Sequence, residues 1–178
     1  MRREGFTMIE MVVLVAVIGI LAAFGTLRIL GRAEKNAMIT FKGKAPEFIR
    51  VTTQRAFEEG EDYFVDIDAA GKLMNRGKTS GGKKEELYLP SLLKYKIHDT
   101  SGDSIKIEVD DRGQGYLDES GTLSDLNKEI FVFNSKNKAL YKMRVFSDTP
   151  IMYLRVETFL PEGTPDTAYP YNDNWVKE

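Results

Sequence analysis

The chain has 178 residues, of which 42% are hydrophobic and 29% are charged, and its formal net charge is −2. This composition predicts one globular domain with at most one appendage, and it excludes a disordered chain or a polytopic membrane protein. The sequence has no cysteine and a single histidine, His98, which excludes disulfide scaffolds, thiolate metal sites and multi-histidine metal sites. The balanced charge gives no reason to expect nucleic acid as a partner.

The N-terminal segment combines two basic residues with a long apolar run. Arg2 and Arg3 precede residues 11–27, which include no charged side chain. A helix over residues 6–29 would be about 36 Å long, enough to cross a hydrocarbon core of about 30 Å. The basic residues predict a cytoplasmic N-terminus, with the remainder of the chain across the membrane. A cleaved secretory signal, with its cleavage site at Ala22-Ala23, is the alternative interpretation.

Glu10 introduces a charge at the start of this apolar segment. A carboxylate inside an apolar helix is costly and normally has a partner. If the chain were cut between Gly5 and Phe6, the new amino group of Phe6 would be positively charged, and the Glu10 of a neighbouring copy could pair with it. The other interpretation is that Glu10 marks the membrane interface at the shallow end of the span.

The string Gly5-Phe6-Thr7-Met8-Ile9-Glu10-Met11-Val12 follows a short basic leader and opens an apolar helix. It resembles the N-terminal signal of type IV pilins and type II secretion pseudopilins, and the resemblance covers residues 1–31. The resemblance implies that a prepilin peptidase cuts between Gly5 and Phe6 and that Phe6 becomes N-methylated. It also implies that Glu10 is the carboxylate used in filament assembly.

The next segment predicts a continuation of the helix with one buried face. Gly43 and Pro46 predict a bend near residues 43–46, or a restart with Pro46 in the first turn. Glu58-Glu59-Gly60 predicts the end of the helix. The apolar side of the helix is formed by residues that recur every three or four positions: Leu30, Ala33, Ala37, Phe41, Ala45, Phe48, Thr52 and Ala56.

After Gly60 the sequence predicts only strands, turns and loops. A long helix followed by strands predicts an α+β fold, with an antiparallel sheet packed on the amphipathic half of the helix. The pilin resemblance implies the same architecture: a leader at 1–5, a transmembrane and filament-core helix at 6–29, and a periplasmic pilin-like domain at 30–178. The predicted strands are residues 63–68, 72–74, 104–109, 116–117, 129–134, 139–146 and 151–160, with a polar loop at 77–84 and a loop-like tail at 161–178.

The remaining polar motifs predict no active site. Asp66 to Gly71 begins like a calcium loop, but Ala70 stands where a ligand belongs and Gly77 replaces the bidentate glutamate, so we expect a hairpin turn. Ser80-Gly81-Gly82-Lys83-Lys84 does not have the spacing of a phosphate-binding loop. The sequence offers no nucleophile that would pair with His98 in a catalytic site. The sequence therefore predicts a protein that is not an enzyme and has no metal site and no cofactor.

Taken together, the residues predict a structural subunit. The strands and glycine turns between Ile107 and Val145 are similar in rhythm to the H-type minor pseudopilins, which implies a minor subunit of a type II secretion pseudopilus for protein export. The implied partners are a prepilin peptidase, other pilin or pseudopilin subunits and an assembly platform in the inner membrane. The alternative is a minor type IV pilin in adhesion, motility or DNA uptake, and a competence pseudopilin also stays open.

Overall fold

The computed structural model describes residues 7–98, 103–117, 127–147, 154–163 and 175–178, and for residues 23–30 it describes the backbone alone. The chain forms two compact units, Met1–Asn36 and Ala37–Glu178. One helix, α1, runs from Met8 to Glu59 and supplies residues to both units. The predicted long N-terminal helix is therefore present.

The helix continues through Gly43 and Pro46, so the predicted restart at Pro46 is wrong. A proline inside a helix removes one backbone hydrogen bond and costs about 3 kcal/mol. Here Pro46 is itself buried, and so are its neighbours Phe41, Ala45 and Ile49. Packing on both sides of the proline thus holds the helical backbone in place despite the lost hydrogen bond.

The predicted end of the helix is confirmed. Gly60 has φ 64°, the left-handed conformation that glycine adopts at low cost after the last helical residue. Its N–H donates to the carbonyl of Ala56 at 3.0 Å, and the N–H of Glu61 donates to the same carbonyl at 3.3 Å. These bonds satisfy a helix-terminal carbonyl and turn the chain towards the first strand.

In the described part of the chain, ten strands form two five-stranded antiparallel sheets. The strands of the first sheet are β1 (Tyr63–Asp68), β2 (Leu73–Lys78), β3 (Glu85–Tyr88), β5 (Ser104–Val109) and β6 (Gly115–Leu117). Those of the second are β4 (Lys94–Ile97), β7 (Asn127–Phe133), β8 (Ala139–Ser147), β9 (Leu154–Pro161) and β10 (Trp175–Lys177). The strand orders are β3-β2-β1-β5-β6 and β10-β9-β8-β7-β4.

The antiparallel pairing was predicted, but the sequence predicted one sheet where the structure has two. Strands β1 and β5 have the predicted bounds, and the hairpin of β7 and β8 is confirmed. Strand β2 extends to Lys78, so Gly77 and Lys78 belong to a strand and not to the predicted loop. Strands β3, β4 and β10 were not predicted. They are three or four residues long, too short for alternation to be recognised.

The second compact unit has one main core, in which α1 packs against both sheets. Phe41 is 1% exposed, and its ring lies 5.3 Å from that of Tyr95 and 5.9 Å from that of Tyr141. The predicted buried face of the helix is confirmed by the burial of Phe41, Ala45, Thr52 and Ala56. The core also includes Ile49 from the helix, Val65, Ile67, Met74 and Ile107 from the first sheet, and Ile130, Val132, Met143 and Val145 from the second.

Candidate functional site at the N-terminal end of the helix

Glu10 lies in the first turn of α1, where it forms a reciprocal cap with Thr7. The backbone N–H of Thr7 donates to Oε2 of Glu10 at 2.8 Å, and the Thr7 hydroxyl donates to the same oxygen at 2.9 Å. In return, the backbone N–H of Glu10 donates to Oγ1 of Thr7 at 3.4 Å. This is the capping-box arrangement, which satisfies two backbone N–H groups that have no partner inside the helix.

This cap was not predicted, although its four-residue signal, Thr-x-x-Glu, is present at residues 7–10. The cap gives Glu10 a partner in its own chain. A carboxylate at a helix N-terminus is also favoured by the helix dipole. Gly5 and Phe6, the two residues of the predicted cleavage site, lie outside the described residues.

The helix beyond this cap presents an apolar surface on all sides. Its large hydrophobic side chains from Met8 to Leu21 are between 48% and 87% exposed. A helix that is hydrophobic all round normally has its surface covered by lipid or by other protein. Within the described residues, the structure has no helix that is long and apolar enough to cross a membrane.

The acidic loop that resembles the start of a calcium site is a hairpin turn, as the sequence predicted. Asp68 accepts a hydrogen bond from the N–H of Gly71 at 2.7 Å, which closes the turn between β1 and β2. His98 donates its backbone N–H to the carbonyl of Glu129 at 2.9 Å, and its ring lies 6.3 Å from that of Phe131. Among the residues that the structure describes, no three His, Asp or Glu side chains are grouped as a metal site requires.

A basic cleft of about 240 Å³ lies where α1 passes β2 and β3. Its two guanidiniums share one carboxylate: Arg76 donates to Glu85 through Nε at 3.1 Å and Nη2 at 2.6 Å, and Arg55 pairs with the other oxygen of Glu85. Lys78 pairs with Glu59 at 2.7 Å and with Glu61 at 3.1 Å, and these carboxylates raise its pKa. Because its arginines and Lys78 are already paired with carboxylates, the cleft is a structural ion network that ties the helix to the first sheet.

Trp175 lies in the tail that the sequence predicted to be a loop, but the structure places it at the start of strand β10. The Trp175 ring lies 5.8 Å from that of Phe131, on the face of the second sheet away from the helix. Between these rings and that of Phe159 lies the ammonium of Lys142, which also pairs with Glu129 at 2.8 Å. This cluster fastens β10 to the sheet.

Comparisons with known proteins give one structural likeness. No family model matches the chain, and no curated protein matches it. Among solved structures, the chain is similar to the minor pseudopilin EpsH from the Type 2 Secretion System of Vibrio cholerae. The identity is 13% and the TM-score 0.42, with 70% of this chain and 94% of that chain covered.

Proposed function

We propose that this chain is a pilin-like filament subunit that a prepilin peptidase cuts between Gly5 and Phe6. In this proposal Phe6 is N-methylated, and residues 6–29 hold the subunit in the inner membrane with the remainder in the periplasm. The subunit then joins a type II secretion pseudopilus as a minor pseudopilin for protein export. Its partners are the peptidase, the other pseudopilins and the assembly platform. The role is structural and needs no catalytic group on this chain.

The observation that carries the proposal is the position of Glu10. It is the charged residue in the first turn of a helix whose following residues, 11–27, include no charge. A carboxylate in such a place needs a partner when its surroundings become apolar. The capping box supplies one partner from Thr7 in the isolated chain. The amine of a neighbouring Phe6 would supply a charged partner, and a charged pair is stronger in a low-dielectric layer than in water.

The first experiment tests processing. When the full chain is expressed with a prepilin peptidase, intact-mass spectrometry should show the loss of residues 1–5 and the gain of one methyl group on Phe6. The variant Gly5→Val should stay uncut, because a branched side chain replaces the smallest residue before the cleaved bond. An uncut wild-type chain, or a cut after Ala23, would refute the proposal and favour an anchored or secreted protein.

The second experiment separates assembly from helix capping. Glu10→Gln removes the charge but keeps the shape, whereas Thr7→Val keeps the charge and removes the capping hydroxyl. If Glu10 pairs with a neighbouring amine, both variants should be cleaved normally, and Glu10→Gln should co-purify far less with its filament partners than Thr7→Val does. Equal losses in the two variants would instead show that Glu10 acts through the cap.

A further inference from the structure

Two aromatic side chains are the most exposed large apolar groups among the described residues of the second unit. Phe57 on α1 is 69% exposed, and Tyr88 on β3 is 73% exposed. Single exposed apolar residues are common on protein surfaces and need no explanation by themselves. These two differ from that background because charged groups lie beside them. Phe57 lines a groove together with two arginines, and Tyr88 is bonded to a glutamate.

Phe57 forms one wall of an open groove of about 310 Å³ between α1 and the turn that connects β5 to β6. The turn lies close to the helix because Gly113 has φ 76° and no side chain: a Cβ at this position would be 3.2 Å from Cγ2 of Thr53. Leu154 at the start of β9 lines the groove as well. The groove therefore forms where the backbone packs closely, and Phe57 and Leu154 are the large apolar side chains that line it.

Two guanidiniums, Arg50 and Arg112, also line the groove. Arg50 forms no ion pair with a carboxylate in the described ranges of the chain. Arg112 is 78% exposed and lies 4.0 Å from the carboxylate of Asp111, the outer limit of an ion pair. A groove lined by an exposed aromatic ring and two guanidiniums without a close carboxylate partner among the described residues suits a ligand group that combines an aromatic ring with a carboxylate.

The chain itself presents such a group. The hydroxyl of Tyr88 donates to Oε2 of the exposed Glu86 at 2.8 Å, which holds the ring and the carboxylate side by side. In the first sheet β3 is one edge strand and β6 is the other. The acidic aromatic pair and the basic groove therefore lie at opposite edges of the same sheet.

We propose that the Glu86–Tyr88 pair of one copy docks into the Phe57 groove of a second copy. The Tyr88 ring packs against Phe57, and the Glu86 carboxylate pairs with Arg50 and Arg112. Because the two surfaces differ and lie at opposite edges, the contact is heterologous and does not close a symmetric dimer. The inference goes beyond the proposed function, because it adds a second copy of this chain to the partners named there.

The absence of cysteine makes cross-linking a direct test. Two full-length copies are given different tags and one cysteine each. The first copy carries Gln54→Cys in the lining of the groove, and the second carries Asn75→Cys, a position paired with Glu86 in the register of β2 and β3. Treatment of the membranes with a short bis-maleimide should give a dimer with both tags. The control pairs are Lys44→Cys with Asn75→Cys and Gln54→Cys with Val176→Cys, which should give far less product.

Two further variants test the chemistry while leaving the cysteines in place. Phe57→Ser in the groove copy should lower the yield about ten-fold, as expected when a central aromatic is lost. Arg50→Glu with Arg112→Glu should lower it as well, and Glu86→Lys in the second copy should restore it. The cross-linker reacts only with the cysteines that replace Gln54 and Asn75, and these stay unchanged in every variant. A change in the yield of dimer therefore reports a change in the contact itself.

Three results would overturn the inference: a yield no higher than in the control pairs, no rescue by Glu86→Lys, or cross-linking of Gln54→Cys only to a different protein. Leader cleavage is measured on the same samples. A chain that is cleaved but gives no specific dimer refutes this contact and leaves the proposed function standing. A specific dimer of uncut chains refutes the proposed processing and leaves the contact standing.

Discussion

The ion network between the helix and the first sheet gives a sharp stability prediction. Glu85 on β3 accepts hydrogen bonds from Arg76 on β2 and from Arg55 on α1. Arg76 also donates to the carbonyl of Phe48 at 3.3 Å, and its guanidinium lies 4.5 Å from the centre of the Phe48 ring. The substitution Glu85→Gln keeps the size of the side chain and removes the charge that joins the two arginines.

The expected loss follows from how far the three groups are buried. Hydrogen bonds to a charged group contribute about 1.5–3 kcal/mol when shielded, whereas exposed ion pairs contribute about 0–1 kcal/mol. The side chain of Arg76 is 9% exposed, but those of Glu85 and Arg55 are 42% and 38% exposed. We therefore expect a loss of about 2 kcal/mol, which lowers the Tm by about 4–8 °C for a chain of this size.

The measurement is thermal unfolding of a soluble fragment, residues 28–178, followed by circular dichroism. The matched control is Glu86→Gln on the same strand, because Glu86 is exposed and bonds to the exposed Tyr88 hydroxyl.

Hydrogen bonds from Arg76, and then from Arg55, lower the pKa of Glu85. A lowered pKa in the folded state stabilises the fold above the ordinary glutamate pKa of about 4.3, and this stabilisation is lost as the pH falls through the folded value.

The difference in Tm between the wild type and Glu85→Gln should therefore be largest at neutral pH and should become smaller as the pH is lowered. Two outcomes would contradict the reasoning. The first is an equal change in Tm for Glu85→Gln and Glu86→Gln at neutral pH. The second is a difference between wild type and Glu85→Gln that does not narrow as the pH is lowered.

The remaining predictions concern the core and can be tested on the same fragment. Residues 28–178 should fold without the apolar segment, because the core described above lies within Ala37–Glu178, and circular dichroism should show one helix over a β background. Phe41→Asp should unfold the fragment by burying an unpaired charge between Tyr95 and Tyr141. Ile39→Asp, two residues earlier on the same helix and 59% exposed in the wild type, should leave it folded. Equal effects of the two aspartates would show that this face of the helix is not packed as described.

Several features of this protein could be predicted from the sequence because each depends on residues that are close together in the chain. The apolar run after Glu10, the glycine that ends α1 and the alternation in β1 and β5 each need only a few consecutive residues. The capping box of Thr7 and Glu10 also depends on only four consecutive residues, although it was not predicted.

Other features were decided only by the tertiary structure. The strands divide into two sheets because β4, between β3 and β5 in the chain, pairs with β7 instead of a sequence neighbour. Short strands such as β3 and β10 are held by their partners, and their own sequences are too short to specify them.

The sites on the second unit depend on the same long-range pairing. Arg55 on α1 pairs with Glu85 on β3, and the groove at Phe57 exists because Gly113 lets a distant turn approach Thr53 on the helix. Both contacts join residues far apart in the chain, so their geometry follows from strand pairing and packing and not from local sequence. The sequence by itself thus determined the apolar run at the N-terminus and most of the elements, and the tertiary structure decided which of their side chains meet.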